Sequence, residues 1–181
     1  MYRLVNKRPT KISHRLTTRE ALLKPQYKLF LPLVAGVVIL DQVSKAAVSL
    51  TLKMYEIRPI IHGLLNLTRV HNTGAAFGLL AGQPSILRTI FFLAVSLVAM
   101  GVVLWMIFRL PPDQKVEIVA LSIIFGGALG NVIDRARLGE VVDFIDVYYR
   151  SYHWPAFNVA DSAITIGVLL LLSRLLFVQE K

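Results

Sequence analysis

Two aspartates in the second half of the chain have the residue type and surroundings that acid–base chemistry requires. Asp143 lies in the stretch Val141–Phe144, where apolar residues flank it, and Asp161 ends the stretch Phe157–Asp161. Two carboxyl groups that meet where polarity is low cannot both ionise easily, so one keeps a proton while the other stays charged. Such a pair could supply a general base that activates water and a general acid that protonates a peptide carbonyl oxygen.

The spacing by itself leaves another interpretation of these aspartates open. Asp161 could cap the helix that is predicted to follow it, and Asp143 could pair with Arg135 or Arg137. Distance along the chain does not establish that the two carboxyl groups meet. The acid–base pair is therefore a hypothesis that depends on the elements that position it.

Asp41 and Lys45 interrupt an apolar segment, where a charged side chain is costly and by default indicates a function. Their i, i+4 spacing, with the acid first, is the favourable order for an ion pair on a helix. The two could neutralise one another within the membrane, or they could position backbone near the outer surface. Both roles are compatible with the sequence.

A second polar group, Asn131, Asp134 and Arg135, closes a glycine-containing apolar segment. Gly126 and Gly130 in that segment form a face of small residues that allows a neighbouring helix to approach closely. Asp134 and Arg135 are interpreted as the outer end of this helix.

Four apolar segments carry these residues. A hydrocarbon core of about 30 Å needs roughly 20 helical residues to cross it. The sequence predicts transmembrane helices at about 29–52, 86–108, 117–134 and 156–176. The second of them contains the uncharged stretch 89–108, and helices with an uncharged stretch of this length are rare in the cores of soluble proteins. Asp41 and Lys45 argue against a cleaved signal peptide that starts at Leu29.

The segment between the first two helices contains β-formers interrupted by Pro59 and Gly63, and it predicts a β-element at about 53–80. The expected fold class is therefore an all-α integral membrane protein with a small extracytoplasmic β-sheet element between helices 1 and 2. Residues 134–154 are expected to form an outer loop whose aromatic side chains suit the interface between water and lipid.

The charge of the chain is distributed unevenly. The sequence has 181 residues, is 55% hydrophobic and carries a net charge of +9. Eight of its 20 Lys and Arg residues lie in the first 28 positions, so residues 1–28 are predicted to be a flexible cytoplasmic tail. Four crossings also leave residues 177–181 in the cytoplasm and put the polar residues at the outer face. This distribution counts against nucleic acid as a partner.

Other chemistries fit the sequence less well. Ser44 is adjacent to Lys45, and neighbouring residues on a helix do not face each other, which disfavours a serine–lysine peptidase. The four histidines form no His-Glu-x-x-His pattern and the chain has no cysteine, so neither a metal nor another cofactor is expected. A proton relay in a transporter would favour internal repeats and a site at the bilayer midplane, and neither is evident.

Five blocks in this sequence resemble the motif set of the lipoprotein signal peptidase (signal peptidase II) family, in the family's order. They are Asp41-Gln-Val-Ser-Lys45, Asn72-Thr-Gly74-Ala-Ala-Phe77, Gly126-Gly-Ala-Leu-Gly-Asn131-Val-Ile-Asp134-Arg135, Val141-Val-Asp143-Phe144 and Phe157-Asn158-Val-Ala160-Asp161. The resemblance covers roughly residues 30–176. Any one block would be weak evidence, whereas five together are specific. The basic tail is longer than in most members.

The resemblance implies an aspartyl endopeptidase of the bacterial inner membrane, with a peptidase domain at 29–176. Such enzymes remove signal peptides from diacylglyceryl-modified prolipoproteins, before the lipidated cysteine and at the outer face of the membrane. They need no metal, and the cyclic peptide globomycin inhibits them. The implied partners are therefore the prolipoprotein, membrane lipid and a globomycin-type inhibitor.

The resemblance also implies roles for individual residues. Asp143 and Asp161 match the catalytic pair. The positions that match residues supporting the site or contacting the substrate are Asn131, Arg135, Asn158, Asn72, Gly74, Asp41, Lys45 and Asp134.

Overall fold

Four long helices and a four-stranded sheet make up the part of the chain that the computed structural model describes, residues 25–74 and 85–177. The elements in chain order are α1 (Pro25–Thr51), β1 (Ile57–Ile61), β2 (Leu65–Asn72), α2 (Ser85–Arg109), α3 (Lys115–Leu138), β3 (Val141–Tyr149), β4 (Tyr152–His153) and α4 (Val159–Phe177). Residues 1–24 of the predicted tail, 75–80 of the predicted β-element and 178–181 at the C-terminus lie outside the described residues.

All four helices are long and apolar enough to cross a membrane, which confirms the expected membrane fold. In α1, α2 and α4 only 17–22% of the most apolar stretch is buried inside the protein, whereas 50% of that stretch is buried in α3. Large apolar side chains such as Leu50, Val98 and Trp105 are exposed, as is expected of surfaces that face lipid. α3 is therefore the central helix, and the other three pack around it.

Three helix ends differ from the predicted ones by three residues or more. α1 begins at Pro25 rather than at 29, so residues 25–28 of the predicted flexible tail are helical. α3 continues to Leu138 because Gly139, in the left-handed conformation at φ 78°, provides its C-cap. The charged pair Asp134 and Arg135 does not end the helix, since Asp134 is buried and paired within the bundle. α4 begins at Val159 rather than at 156.

Glycines on α3 allow its neighbours to come close. A Cβ on Gly126 would lie 2.9 Å from the side chain of Val37, and one on Gly130 would lie 2.5 Å from Oδ2 of Asp41. A Cβ on Gly127 would lie 2.4 Å from the backbone oxygen of Ala160. The small face predicted from the sequence, Gly126 and Gly130, thus lies against α1, and Gly127, outside that face, contacts α4.

Substitution of Gly127 is expected to separate α3 from α4. Because the obstructing atom in Gly127→Ala is a backbone oxygen, the helices must move apart, and we expect a lower thermal midpoint. Gly101→Ala on α2 is the matched control, since a Cβ there meets nothing within 4 Å. Equal behaviour of the two variants in a thermal unfolding assay would contradict this view of the contact.

The sheet has the order β1-β2-β3-β4, with all neighbouring strands antiparallel. β1 and β2 form the element predicted between the first two helices. β3 and β4 come from the segment between α3 and α4, for which the sequence analysis predicted only a loop. The run Val141–Tyr149 is rich in β-branched and aromatic residues, but its pairing with β2 is long-range and so has no local signature.

The central strand β3 links the sheet to the start of α4. Phe144 and Ile145 donate their backbone N–H groups to the carbonyl oxygen of Phe157, at 3.0 and 2.8 Å, and Phe157 donates back to Ile145 at 3.1 Å. Phe144 packs against Val48 of α1 and against Leu52, which directly follows α1. These contacts fix the residues after Phe157 beside the middle of β3.

Candidate active site

Asn158 joins the two predicted catalytic aspartates. Its side-chain Nδ2 donates to Oδ1 of Asp143 at 2.7 Å, and its Oδ1 accepts the backbone N–H of Asp161 at 2.9 Å. The backbone N–H of Asn158 in turn donates to Oδ2 of Asp161 at 3.2 Å. Asn158 is completely buried and Asp143 is 2% exposed. A single asparagine thus positions both carboxyl groups.

The reciprocal bonds between Asn158 and Asp161 form a capping box at the start of α4. Asn158 satisfies an N–H group that the first helical turn would leave unpaired, and Asp161 satisfies the N–H of Asn158. Asp161 therefore takes part in a cap, as the alternative interpretation proposed, and also faces the site. The side-chain hydrogen bonds to Asp143 come from Asn158 and Asn72, not from Arg135 or Arg137.

Asn72 at the end of β2 reaches the other oxygen of Asp143. Its Nδ2 donates to Oδ2 at 2.9 Å, while its Oδ1 accepts the backbone N–H of Gly74 at 2.8 Å. Gly74 has φ +90°, and a Cβ there would lie 2.1 Å from the ring of Phe92. Only glycine fits this turn, and the turn sets which end of the Asn72 amide faces Asp143.

A buried charge cluster lies next to the aspartate pair. The Nζ atom of Lys45 is 2.9 Å from Oδ2 of Asp41 and 2.9 Å from Oδ2 of Asp134, and it donates to Oδ1 of Asn131 at 3.0 Å. Asn131 connects this cluster to the aspartate pair, because its Nδ2 donates to Oδ1 of Asp161 at 2.8 Å. Lys45 therefore determines the orientation of an amide that touches Asp161.

The same cluster holds backbone in place. Oδ1 of Asp41 accepts the N–H of Ala160 at 3.0 Å, and Oδ2 of Asp134 accepts the N–H of Val142 at 3.2 Å. The first bond secures the start of α4 and the second secures the start of β3. Both roles considered for Asp41 and Lys45 are therefore present, neutralisation of charge and positioning of backbone.

Gln42 also belongs to this cluster, although it was not among the predicted site residues. Its Nε2 donates to Asp41 at 3.1 Å, to the carbonyl oxygen of Gly130 at 3.2 Å and to Oδ1 of Asp134 at 3.0 Å. The available signal was an amide next to Asp41 in an apolar segment, where an unpaired polar group is costly.

Arg135 brings positive charge to the site. Its guanidinium carbon lies 5.5 Å from the centre of the Phe92 ring. From there it interacts electrostatically with Asp161 and Asp143. Arg135 can stabilise one negative charge on the pair while remaining available to a polar group of a ligand.

The environment of Asp143 favours its protonated form. Burial, reinforced by the charge of Asp161, raises the pKa of Asp143 to about 7, while the hydrogen bonds from Asn72 and Asn158 oppose the rise. At neutral pH the site therefore contains a carboxyl group that holds a proton much of the time beside a second carboxyl group. This is the arrangement that combined acid and base catalysis requires.

Three cavities open at the site. One of about 440 Å³ is lined by Asp161 together with Trp154, Phe157 and Ile166, and one of about 250 Å³ is lined by Asp143 and Asn72. A third, of about 560 Å³, lies beside Arg135 and is bounded by apolar residues of α2. The aspartates thus lie between spaces large enough for peptide and acyl groups.

The serine–lysine alternative does not match this geometry. Ser44 donates to the backbone oxygen of Asp41 at 2.8 Å, and Ser162 donates to that of Asn158 at 2.9 Å. Lys45 is occupied by its three buried partners and contacts neither hydroxyl among the described residues. No serine described here is placed beside a free lysine base.

The chain is similar to known membrane peptidases along most of its length. The family model described as signal peptidase (SPase) II matches residues 33–177. The lipoprotein signal peptidase of Geobacter sulfurreducens is 50% identical over 149 residues, which is 82% of this chain and 92% of that protein. That of Syntrophus aciditrophicus is 43% identical over 153 residues, 84% of this chain and 95% of that protein.

Solved structures agree with this similarity. Two structures described as bacterial membrane enzymes, determined by the in meso method, superpose with TM-scores of 0.72 and 0.73. Their sequence identities are 38% and 37%, and the matches cover 81% and 83% of this chain and 86% and 93% of theirs.

Proposed function

Because the chain belongs to the signal peptidase II family, we propose that it removes signal peptides from diacylglyceryl-modified prolipoproteins, cutting before the lipidated cysteine. It is an aspartic-type peptidase. The observation that best supports the proposed site is the bridge through Asn158, whose side-chain amide contacts Asp143 and whose side-chain oxygen accepts the backbone N–H of Asp161. Asp143 and Asp161 are the proposed catalytic residues.

In the first proposed step the ionised Asp161 takes a proton from a water molecule. The water oxygen attacks the carbonyl carbon of the scissile peptide bond, and protonated Asp143 donates its proton to the carbonyl oxygen. The product is a neutral tetrahedral diol, with Asp161 now protonated and Asp143 ionised. Asn158, Asn131 and Asn72 hold the two carboxyl groups in position during this exchange.

In the second step the protons return. Asp161 protonates the amide nitrogen, Asp143 removes a proton from one hydroxyl of the diol, and the C–N bond breaks. The signal peptide leaves with a new carboxyl group and the lipidated cysteine with a free amine. The original protonation state is restored, so water is the only co-reactant.

The cavities indicate how such a substrate would lie. The apolar cavity beside Asp161 and the larger one beside Arg135 would take the acyl chains and the signal peptide on the two sides of the pair. The guanidinium of Arg135 would bind a carbonyl oxygen of the peptide near the cut. Asn72 and Gly74 would define the edge of the cleft beside Asp143.

A cleavage assay with purified protein tests this function. A synthetic peptide with a diacylglyceryl cysteine should be cut before that cysteine in detergent, without an ion gradient, and globomycin should block the cut. The same peptide without the lipid is the control and should be cut much more slowly. Failure to cut the lipidated peptide under conditions in which the protein stays folded would refute the proposal.

The pKa of Asp143 predicts how cleavage depends on pH. Since the protonated form donates the first proton and its pKa is raised to about 7, kcat/KM should decrease as the pH rises through that region. Asn72→Ala removes a hydrogen bond that favours the ionised carboxylate of Asp143, so the pKa of Asp143 should rise further. The alkaline limb, the part of the pH profile where kcat/KM decreases with rising pH, should then move to higher pH.

Asn66→Ala is the control for this profile. Asn66 also lies on β2 and donates to an aspartate on β3, Asp146, at 2.8 Å. Its replacement should leave the position of the alkaline limb unchanged. A limb that stays in place or moves to lower pH in Asn72→Ala would remove Asp143 as the proton donor.

We further infer a location in the bacterial inner membrane with both termini in the cytoplasm and the site on the outer side. The sheet and the aspartates lie at one end of the bundle, whereas Arg109, Lys115 and Arg174 lie at the helix ends opposite them. Since the chain has no cysteine, Arg150→Cys and Asp113→Cys each introduce a single label site. An impermeant maleimide should label only Arg150→Cys in intact cells, and the reverse pattern would invert the topology.

A further inference from the structure

A cleft of about 240 Å³ lies between α1, β2 and the end of α3, and His71 borders both this cleft and the cavity beside Asp143. The polar residues that line it include Lys45, Ser49, Arg69, His71, Asp134 and Arg137. A space of this size exceeds what a single water molecule occupies, about 30 Å³ of liquid volume. It can therefore accept a polyatomic group.

Three of the residues that line this cleft are basic, Lys45, Arg69 and Arg137, and one is acidic, Asp134. Lys45 is shared between the carboxylates of Asp41 and Asp134, at 2.9 Å from each, and Glu140 contacts His71. Arg69 and Arg137 remain, and within the described residues neither has a carboxylate within ion-pair distance. The cleft is therefore suited to an anion.

Arg69 is fixed by hydrogen bonds from Nη1, while its Nε–H group is left without an acceptor among the described residues. Its Nη1 donates to the backbone oxygens of Ser49 at 2.9 Å and Leu52 at 3.3 Å, which completes the C-terminal end of α1. Its Nε is buried and has no hydrogen-bond partner among the described residues. The hydrogen bonds of Nη1 are explained by the capping of α1, whereas no described residue explains the burial of Nε. A buried N–H of a charged group that lacks an acceptor is costly.

His71 adds a second unpaired atom to the same cleft. Its Nδ1 contacts a carboxylate oxygen of Glu140, which leaves Nε2 buried and without a partner in the described part of the chain. Arg137, in the last turn of α3, is exposed and makes no hydrogen bond to any described residue. Three nitrogen-bearing side chains thus border one space with unused hydrogen-bonding capacity.

The position of the cleft suggests the source of the anion. Ser49 and Arg137 lie close to the ends of α1 and α3, at the level where these spans end. Leu50 and Leu138, beside them in the sequence, are 88% and 51% exposed and can contact acyl chains. Arginine side chains near the end of a membrane span can reach the headgroup level and bind phosphate oxygens there.

We propose that this cleft binds an oxyanion of the phosphate class, which an anionic phospholipid supplies through its headgroup. The guanidinium groups of Arg69 and Arg137 bind the phosphate oxygens, for which their geometry is well suited. Because His71 precedes Asn72 on β2, the bound lipid steadies the strand that reaches Asp143. The site adjoins the cavity beside Asp143 at His71, but Arg69 and Arg137 line only the cleft proposed here.

The test uses the full chain in a maltoside detergent, whose headgroup contains no phosphate. Short-chain phosphatidylglycerol is titrated while the thermal unfolding midpoint is followed, and the midpoint should rise by several degrees. In Arg137→Gln the apparent dissociation constant should increase at least about tenfold, as the loss of a charge-assisted contact predicts. Arg69→Lys, which keeps the charge but removes Nε, should weaken binding in the same direction.

Arg58→Gln is the matched control. Arg58 is an exposed arginine on β1 that pairs with Glu56 at 3.0 Å, outside the cleft. Its replacement should leave the titration unchanged.

A parallel titration with inorganic phosphate at matched ionic strength separates the possible sources. A response to phosphatidylglycerol alone assigns the site to a headgroup, and an equal response to phosphate, also lost in Arg137→Gln, assigns it to the free anion. Both results support an oxyanion site. Identical responses of wild type, Arg137→Gln and Arg58→Gln, or no response to either compound, would overturn it. Since no substrate is present, the result does not depend on peptidase activity.

Discussion

Replacing either aspartate of the pair by asparagine is expected to abolish signal-peptide cleavage. For Asp143→Asn and Asp161→Asn we expect turnover to drop on the order of 10³-fold or more, since loss of a general acid or base typically costs 10²–10⁴-fold. Asparagine has nearly the same shape, but its amide cannot exchange the proton that each step transfers. Initial rates with the lipidated peptide measure the loss.

Asp146→Asn separates the loss of catalysis from the loss of a buried carboxylate. Asp146 also lies on β3, is buried, and accepts hydrogen bonds from Asn66 and His153 at 2.8 Å each. Its replacement should leave turnover within a few-fold of wild type. All three variants should insert into the membrane and remain folded. Substantial turnover in Asp143→Asn or Asp161→Asn would remove the pair from the mechanism.

Loss of Lys45 should produce the largest effect on stability. Lys45→Met leaves Asp41 and Asp134 buried at 0% and 4% exposure without their cation. Breaking a buried ion pair from one side costs about 3–5 kcal/mol, because a charge remains without compensation. We therefore expect a much lower thermal midpoint, and weak cleavage because Asn131 loses the contact that orients it towards Asp161.

The double variant Lys45→Met, Asp134→Asn tests the cause of this effect. Removing one carboxylate reduces the uncompensated charge, so the double variant should be more stable than Lys45→Met alone. Its cleavage should stay low, because Asn131 remains without the lysine. If the double variant is the less stable of the two, uncompensated charge is not the source of the instability.

Much of the membrane fold was predictable from local properties of the sequence. Length and hydropathy identify four spans because a bilayer imposes one simple requirement on each of them. The strands β1 and β2 follow from β-formers between turn residues. The strand β3 could not be predicted in the same way, because it is stabilised by β2, about 70 residues earlier in the chain, as in the pairing of Val70 with Asp143.

The site shows the same division between local and long-range information. The types and neighbours of Asp143 and Asp161 predicted acid–base chemistry, and their motifs carried the family resemblance. The bridge by Asn158 was not predictable, since it depends on the contact between β3 and Phe157. Gln42 was missed because its partners on α3 are 88 and 92 positions away.

The bond between Asp41 on the first helix and the N–H of Ala160 on the last spans 119 positions of the chain. During synthesis the first helix enters the membrane long before its partner exists, so the polar cluster is incomplete until α4 arrives. The aspartate pair is then aligned in the same event that completes the bundle. We therefore expect a chain without α4 to show no proteolytic activity, so that cleavage would report the assembly of all four helices.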